Sequence, residues 1–366
     1  MIGFIFLMYA IMTGWLVLAK KFEQEDDLSA EIEPVSLIIV YRNEKYNLER
    51  LIKGIESQSV DKAKLEIILV NDNSTDGGSI LIQELTKYSS LAIRHVNLEG
   101  EFGKKAGISL GVQQASSGLV LCTDADCELP PNWVNTMIQP FGKKEVKMVL
   151  GAVRLSGSKS CFQTLQKVEF STLMAITLVT CRRKRAILSN GANYSFRKAA
   201  FEESGAYANN LIVNTGDDVF FLHGLKKKFG KSCIVFSERE SSVVTTPAKA
   251  SYASFFEQRI RWASKSKNYK DIDTLKIGSI IFATNLSILW VFVGTLMKLY
   301  SLKFFIGCFL FKWVLDLLLV QQLPLFLRPK SIVKGTFILS ILYPFYSVGI
   351  ALLSLFYRPQ WKGRKI

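Results

Sequence analysis

Two short acidic motifs in this 366-residue chain have the residue types and spacing for metal binding and proton transfer. Asp124 and Asp126 are separated by one residue, and such a pair offers carboxylate oxygens to a hard divalent ion such as Mg²⁺ or Mn²⁺. An ion held in this way often completes its coordination with substrate phosphates. Asp217 and Asp218 precede an apolar helical segment, where one Asp would suffice as an N-cap, so one of them is a candidate catalytic carboxylate.

A third motif, QRIRW at 258–262, lies late in a helical stretch that begins near residue 251. An arginine such as Arg261 can clamp a diphosphate, and the indole face of Trp262 can stack on a sugar ring. The same composition suits an amphipathic helix at a membrane surface, with its basic side chains facing lipid headgroups. Solvated loop carboxylates are the corresponding alternative for the Asp-x-Asp pair.

Several common motifs are missing from the sequence, which narrows the chemistry further. No GxGxxG follows a predicted strand, so a dinucleotide site of the Rossmann type is not expected. Gly103-Lys104 lacks the upstream Gly and the following Ser or Thr of a P-loop. With only two His and no HExxH, a His-rich zinc site is not expected. Six Cys are too few for a disulfide framework in a chain of this length, so reduced thiols are predicted.

Buried strands that alternate with amphipathic helices must position these residues. Short apolar runs predict strands at 35–40, 65–70, 91–96 and 118–122, and helical spacing predicts helices at 46–58, 78–88 and 104–115. This alternation is typical of a parallel α/β sheet, in which ligands lie at the carboxyl ends of the strands. Asp72 and Asp124 both follow predicted strands, at the same edge of the sheet, which favours a functional role for the Asp-x-Asp pair.

Strongly apolar segments flank the predicted sheet. Segment 2–19 carries no charge and is followed by Lys20 and Lys21, which predicts an uncleaved anchor with its C-terminal end in the cytoplasm. Three further candidate membrane segments are 277–299, 304–323 and 333–356, although three crossings would put the basic C-terminus outside, so the number of crossings stays open. The predicted division is an anchor at 1–20, a charged linker at 21–33, a cytoplasmic domain at 34–270 and a transmembrane region at 271–366.

Two features of these apolar segments admit two interpretations each. Lys312 and Asp316 lie four residues apart on one helical face, where they either pair with each other or line a polar route for substrate. The apolar segment 173–179 is either a core helix or a stretch that dips into the membrane interface.

The composition excludes several classes of protein. Hydrophobic residues make up 49% of the chain, which excludes a disordered protein, and the Gly and Pro contents exclude a collagen-like one. The net charge of +15 predicts a basic cytoplasmic face attracted to anionic membrane lipid. Basic runs at 182–185 and 226–228 would also suit nucleic acid, but no nucleic-acid-binding motif accompanies them, so no nucleic-acid partner is expected.

The order of the motifs resembles that of the membrane-bound family 2 glycosyltransferases, which include the cellulose, chitin and hyaluronan synthases and the ceramide glucosyltransferases. The motifs are NDNSTD and TDAD after predicted strands, then GDD and QRIRW, between an N-terminal anchor and C-terminal membrane segments. The resemblance covers about residues 34–270. It implies a GT-A fold, which is a single α/β domain that binds a nucleotide-sugar.

The resemblance also implies roles for individual residues of the donor site. Asp72 would contact the nucleotide base, Asp126 would bind Mg²⁺ or Mn²⁺, and Asp124 would lie near the ribose and the metal. Lys104 would lie near the diphosphate, the alternative being a solvated lysine at a helix start. The donor-binding residues implied in this way are Val40, Arg42, Glu44, Asp72, Lys104, Asp124 and Arg261.

On the acceptor side, Asp218 matches the last residue of the family's Thr-Glu-Asp motif, the general base. This chain has Gly216-Asp217-Asp218 there, so Asp217 remains a second candidate. The implied acceptor-binding residues are Gln258 and Trp262 of the QxxRW motif and Asn193 in the segment 189–207.

The expected activity is inverting, metal-dependent transfer of a sugar from a nucleotide-diphosphate sugar, most simply a UDP-sugar, to a lipid or lipid-linked acceptor. The expected place is a bacterial cytoplasmic (inner) membrane, with the catalytic domain facing the cytoplasm. The alternative within the family is a processive polysaccharide synthase that extends and exports a β-linked glycan. From another class, an inactive relative that acts as a membrane scaffold would keep the fold without turnover.

Overall fold

The computed structural model describes residues 1–21, 33–205, 217–357, 360–362 and 364–365. The chain divides into two compact units, here called the sheet unit (Phe22–Arg154 and Lys184–Pro247) and the helical unit (Met1–Lys21, Leu155–Arg183 and Ala248–Ile366). This division differs from a linear one at 34 and 270, because 155–183 and 248–270 belong with the flanking helices. Most of the predicted linker, 22–32, lies outside the described residues.

The elements are numbered along the chain. The helices are α1 (Ile2–Val17), α2 (Lys45–Glu56), α3 (Gly78–Tyr88), α4 (Lys104–Gln114), α5 (Trp133–Ile138), α6 (Cys161–Arg182), α7 (Lys198–Ser204), α8 (Asp217–Phe229), α9 (Tyr252–Lys265), α10 (Ile272–Leu296), α11 (Leu302–Val320) and α12 (Ile332–Phe356). The strands are β1 (Val35–Tyr41), β2 (Leu65–Asn71), β3 (Ala92–Asn97), β4 (Leu119–Asp124), β5 (Met148–Leu150), β6 (Val153–Ser156), β7 (Asn193–Arg197), β8 (Ile234–Phe236), β9 (Val244–Pro247), β10 (Gln360–Trp361) and β11 (Arg364–Lys365).

The sheet unit is built on a seven-stranded sheet in the order β3-β2-β1-β4-β7-β5-β8. Strands β1 to β4 are parallel to their neighbours among themselves, as predicted, and their bounds agree with the predicted ones to within two residues. Strand β7 runs antiparallel to both β4 and β5, so the complete sheet is mixed. The predicted parallel strands are thus one part of the sheet, and the strands after β4 were not predicted.

Two glycines let helix α4 lie directly on strand β1. A Cβ atom built on Gly107 would come within 2.5 Å of the Val40 side chain, and one built on Gly111 within 2.5 Å of Ile38. Both contacted side chains belong to β1, which is buried along its whole length. The four-residue spacing thus sets the distance between helix and strand, and it fixes the position of Lys104 at the first turn of α4.

In the helical unit, α10 and α12 are each 25 residues long and apolar enough to cross a membrane. At about 1.5 Å per residue such a helix exceeds a hydrocarbon layer of roughly 30 Å. Helix α1 has 16 residues, and α11 has 19 residues with charges inside it, so two of the four predicted segments meet this criterion. These two helices indicate that the protein is membrane-associated.

Two interpretations were open for segment 173–179, and two for Lys312 with Asp316. The interior of the helical unit decides both. Ala175, Leu178 and Val179 of α6 are fully buried, which identifies 173–179 as part of a core helix. The Lys312 ammonium lies 2.6 Å from the Asp316 carboxylate, so these two charges pair with each other. The Tyr9 hydroxyl of α1 donates a hydrogen bond to the same carboxylate.

Candidate active site

The carboxyl ends of β1, β2 and β4 lie side by side and bring their loops together. In the sheet register Val40 is opposite both Val70 and Asp124. The Asp72 carboxylate is fully buried and accepts a hydrogen bond from the backbone N–H of Gly103 at 3.1 Å. Asp72 therefore connects the end of β2 to the N-terminus of α4, where Lys104 begins the helix.

The end of β1 and the loop after it contribute three of the predicted donor residues. The Arg42 guanidinium donates to the carbonyl oxygens of Asp72 at 2.8 Å and Asn73 at 2.6 Å, which ties this loop to the one after β2. Glu44 accepts a hydrogen bond from the Asn47 amide at 2.6 Å. Val40 is almost fully buried and is the packing partner of Gly107.

Lys104 reaches across the sheet edge. Its ammonium donates to the Asp124 carboxylate at 2.5 Å and to the carbonyl oxygen of Gly191 at 2.8 Å. The side chain is only 20% exposed, so the alternative of a solvated helix-start lysine does not describe it.

Asp218 joins the same place from α8. A Cβ atom built on Gly191 would lie 2.7 Å from the Lys104 ammonium and 3.7 Å from Oδ2 of Asp218. Asp218 is itself buried, with 7% of its surface exposed. One ammonium and two carboxylates, from three different elements, therefore converge around a glycine that leaves room for them. The side chain of Asp217 and the preceding segment 214–216 lie outside the described residues.

The Asp-x-Asp pair offers two carboxylates to a metal ion. Among the described residues no group of three or more His, Cys, Asp or Glu is arranged around a metal position. Two carboxylates fit Mg²⁺ or Mn²⁺, which commonly add substrate phosphates and water. Burial, followed by the charges of Asp124 and Asp126, raises the pKa of the neighbouring Cys127 thiol well above its usual value.

Arg50 contacts the Asp-x-Asp loop, a role that no motif predicted. Its guanidinium, on α2, donates to the carbonyl oxygen of Asp126 and to the Glu128 carboxylate, both at 3.1 Å. Arg50 lies on the polar side of an amphipathic helix, where a charged residue is expected in any case. Only the folded loop identifies its partner.

Asn193 was predicted to bind the acceptor, which requires an accessible side chain, but the structure buries it. It is fully buried in β7, where its amide accepts from the Trp133 indole at 2.9 Å and donates to the carbonyl oxygens of Ala152 and Ser242 at 2.7 Å each. These bonds occupy the side chain completely, since both amide protons and the carbonyl oxygen have partners. Asn193 therefore has a structural role and is not assigned to the acceptor.

The QRIRW motif lies on α9, in the helical unit, and Arg259 is its buried charged residue. Gln258, Arg261 and Trp262 are partly exposed, whereas Arg259 is 5% exposed. The Arg259 guanidinium lies 2.7 Å from the Glu169 carboxylate of α6. The alternative of basic side chains that all face lipid headgroups thus does not hold for Arg259. The sequence offered no signal to distinguish it from Arg261, because Glu169 is 90 residues away.

Comparison with known proteins agrees with this architecture. Residues 36–205 match Glycosyl transferase family 2. The chain is 24% identical to a poly-beta-1,6-N-acetyl-D-glucosamine synthase of Staphylococcus epidermidis over 76% of this chain and 66% of that protein. It is also 24% identical to the synthase of the same name from Staphylococcus aureus, over 72% of this chain and 64% of that one. The chain spans about two thirds of the length of these curated relatives.

Among solved structures, the chain is similar to a mannosyltransferase from Pyrobaculum calidifontis in complex with GDP-Man and Mn²⁺. The TM-score is 0.62 at 14% sequence identity, over 95% of this chain and 99% of that one. At this level of identity the similarity concerns the fold, and the expected GT-A fold is confirmed. Residues 36–205 are thus similar in sequence to family 2 glycosyltransferase domains, within a chain that has this fold.

Proposed function

We propose that this protein transfers a sugar from a nucleotide-diphosphate sugar to an acceptor at the membrane, with inversion at the anomeric carbon. The observation that carries the proposal is the convergence of Lys104, Asp124 and Asp218 around Gly191 at the carboxyl edge of the sheet. The Lys104 ammonium beside Asp124 can stabilise the negative charge of a diphosphate. The second carboxylate, that of Asp218, can accept the proton of an attacking hydroxyl.

The donor would bind along the loops at this edge. The nucleotide is assigned to Asp72, to Val40 at the end of β1, and to Arg42 and Glu44 in the loop that follows. Its diphosphate is assigned to Lys104 and, by its place in the QxxRW motif, to Arg261. The Lys104 ammonium would move from the Asp124 carboxylate towards the phosphate oxygens when the donor binds, because both are anionic partners of similar strength.

Asp124 and Asp126 would hold Mg²⁺ or Mn²⁺ beside the diphosphate. When bound, the ion would supply positive charge that stabilises the departing nucleoside diphosphate. Arg50 keeps the Asp126 backbone in place for this task.

Asp218 would act as the general base, with Oδ2 taking the proton of the attacking acceptor hydroxyl. Asp217 is retained as the second candidate because its side chain is not described. Direct attack from the face opposite the diphosphate converts an α-linked donor into a β-linked product. Acceptor binding is assigned to Gln258 and Trp262 of the QxxRW motif.

We propose a lipid or lipid-linked acceptor, in a bacterial cytoplasmic membrane with the sheet unit on the cytoplasmic side. Lys20 and Lys21 at the end of α1 support this orientation by the positive-inside tendency.

The second candidate is a processive synthase that extends a glycan. The names of the Staphylococcus relatives, which are poly-beta-1,6-N-acetyl-D-glucosamine synthases, favour it. Product length separates the two candidates, since single transfer adds one sugar per acceptor and a processive enzyme produces a ladder.

The test uses purified full-length protein in lipid vesicles with Mn²⁺ or Mg²⁺. A panel of UDP- and GDP-sugars is offered, with and without a membrane lipid extract, and release of the nucleoside diphosphate is measured. We expect release with one donor, stimulation by the extract, and loss of activity with a chelator. No release with any donor would contradict the proposed function and favour the inactive scaffold.

Asp218→Asn tests the assigned base. The amide keeps the shape of the side chain but cannot take a proton, so we expect the turnover number to fall by about 10²–10⁴-fold with donor binding retained. Asp126→Ala is the companion variant, in which we expect donor turnover to lose its response to added Mn²⁺. Turnover near that of the unsubstituted protein in Asp218→Asn would refute the assignment.

A further inference from the structure

A buried ion pair lies against the QRIRW segment inside the helical unit. The Nε atom of Arg259 donates to both carboxylate oxygens of Glu169 at 3.1 Å, and Nη2 donates to one of them at 2.7 Å. The Tyr346 hydroxyl of α12 adds a third donor at 3.1 Å. Burial alone would lower the pKa of the Arg259 guanidinium, but the Glu169 charge raises it above its usual value. The guanidinium therefore keeps its charge.

The same guanidinium contacts two of the side chains assigned to the acceptor. Its Nη1 atom donates to the Gln258 side-chain oxygen at 2.7 Å. Its central carbon lies 4.2 Å from the centroid of the Trp262 ring, a cation–π contact. Glu169 thus fixes Arg259, and Arg259 touches both Gln258 and Trp262.

Helix geometry alone would not hold these two side chains. Gln258 and Trp262 lie four residues apart on one face of α9, and both are partly exposed, so their rotamers are not fixed by complete burial. Phe170, next to Glu169 on α6, contributes a ring 6.3 Å from that of Trp262. In addition to the Phe170 contact, the planar Arg259 guanidinium packs on the Trp262 indole and donates a hydrogen bond to the Gln258 amide oxygen.

We propose that the Glu169–Arg259 pair is a positioning pair that orients Gln258 and Trp262 for acceptor binding. The inference rests on the proposed function, because that function assigns the two residues to the acceptor. Neither Glu169 nor Arg259 touches the reacting atoms in this proposal. A pair with a purely structural role would affect folding and leave the apparent acceptor KM unchanged.

Arg259→Lys tests the orienting role while it keeps a positive charge beside Glu169. Lysine has neither the planar surface nor the forked donors of arginine, so both contacts to the motif are lost. With full-length protein in lipid vesicles, we expect the apparent KM for membrane lipid extract to rise by about tenfold or more. The KM for the donor and the slow hydrolysis of donor without acceptor should stay within about twofold of the unsubstituted values.

The chain offers a matched control in a second buried ion pair of the helical unit. Asp316→Asn breaks the pair with Lys312, which joins α11 to Tyr9 of α1 and to Ser340 of α12. This variant loses a comparable buried charge without a contact to α9. We expect lower thermal stability and an unchanged acceptor KM. An acceptor KM raised equally in both variants would overturn the positioning role.

A spectroscopic readout makes the inference independent of turnover. In protein labelled with 5-fluorotryptophan, the ¹⁹F resonance of Trp262 is identified by its loss in Trp262→Phe. We expect Arg259→Lys and Glu169→Gln to shift this resonance and Asp316→Asn to leave it in place. An unmoved resonance in Arg259→Lys would overturn the inference even if no donor were turned over, whereas a missing turnover with a shifted resonance would refute only the proposed function.

Discussion

At the scale of single residues, a glycine leaves the space in which the charges of the candidate site meet. Gly191 has no side chain where the Lys104 ammonium and the Asp218 carboxylate approach each other, and its carbonyl oxygen accepts a bond from the lysine. A methyl group there would meet the lysine first, at 2.7 Å. The far end of a lysine is mobile, so the fold would survive while the charge moved.

We therefore expect Gly191→Ala to leave the unfolding midpoint nearly unchanged and to reduce kcat/KM for the donor by roughly tenfold or more, as Lys104 is displaced. Steady-state release of nucleoside diphosphate and a thermal unfolding curve check the two halves of this prediction. Gly118→Ala is the control, because a Cβ there meets nothing within 4 Å. Equal kinetics for the two variants would show that the space at Gly191 has no function.

At the scale of elements, the close approach of α4 to β1 positions Lys104. The contact leaves no room for a methyl group at Gly111, because Ile38 lies within 2.5 Å of the Cβ position and is buried in the sheet. Overpacking a core contact costs about 1–3 kcal/mol, which exceeds the roughly 1 kcal/mol that Ala gains over Gly in a helix.

Gly111→Ala should accordingly lower the free energy of unfolding of the protein, whereas Gly54→Ala in α2, which meets nothing within 4 Å, should raise it by about 0.5–1 kcal/mol. Denaturant titration followed by far-UV circular dichroism measures both. The same sign for the two variants would contradict the packing argument.

The elements that the sequence predicted well are those with local signals. Strands β1 to β4 and helices α2 to α4 follow from short apolar runs and helical spacing, and Asp72, Lys104, Asp124 and Asp218 could be singled out from motifs next to them. The antiparallel β7 could not be predicted, because its direction depends on pairing with β4 and β5, which are distant in sequence. The roles of Arg259 and Asn193 were missed for the same reason: their partners become visible only in the fold.

At the scale of the whole molecule, the charges within the helical unit bear on how it sits in a membrane. Lys312 is 3% exposed and forms an ion pair with Asp316. The Asp316 carboxylate also accepts hydrogen bonds from Tyr9 and Ser340. A paired charge of this kind does not need a water-filled route to be tolerated at membrane depth. The structure thus favours pairing over a polar path for substrate.

Replacing both charges separates these two interpretations. Removal of one partner leaves a buried charge unpaired, whereas apolar replacement of both is often neutral. We expect Asp316→Asn alone to lower the unfolding midpoint and the double variant Lys312→Met, Asp316→Leu to recover most of it with transfer activity retained. Loss of transfer in a stable double variant would instead support a polar route.

The hydrogen bond between Tyr9 and Asp316 joins residues 307 positions apart in the chain. At a synthesis rate of roughly 5–20 residues per second, α1 leaves the ribosome about 15–60 seconds before its partner on α11. During that interval the chain makes α6 and α10, which also contact α1, and the whole of the sheet unit, which ends at Pro247. The sheet unit can therefore fold in the growing chain before α11 is available to pack against α1.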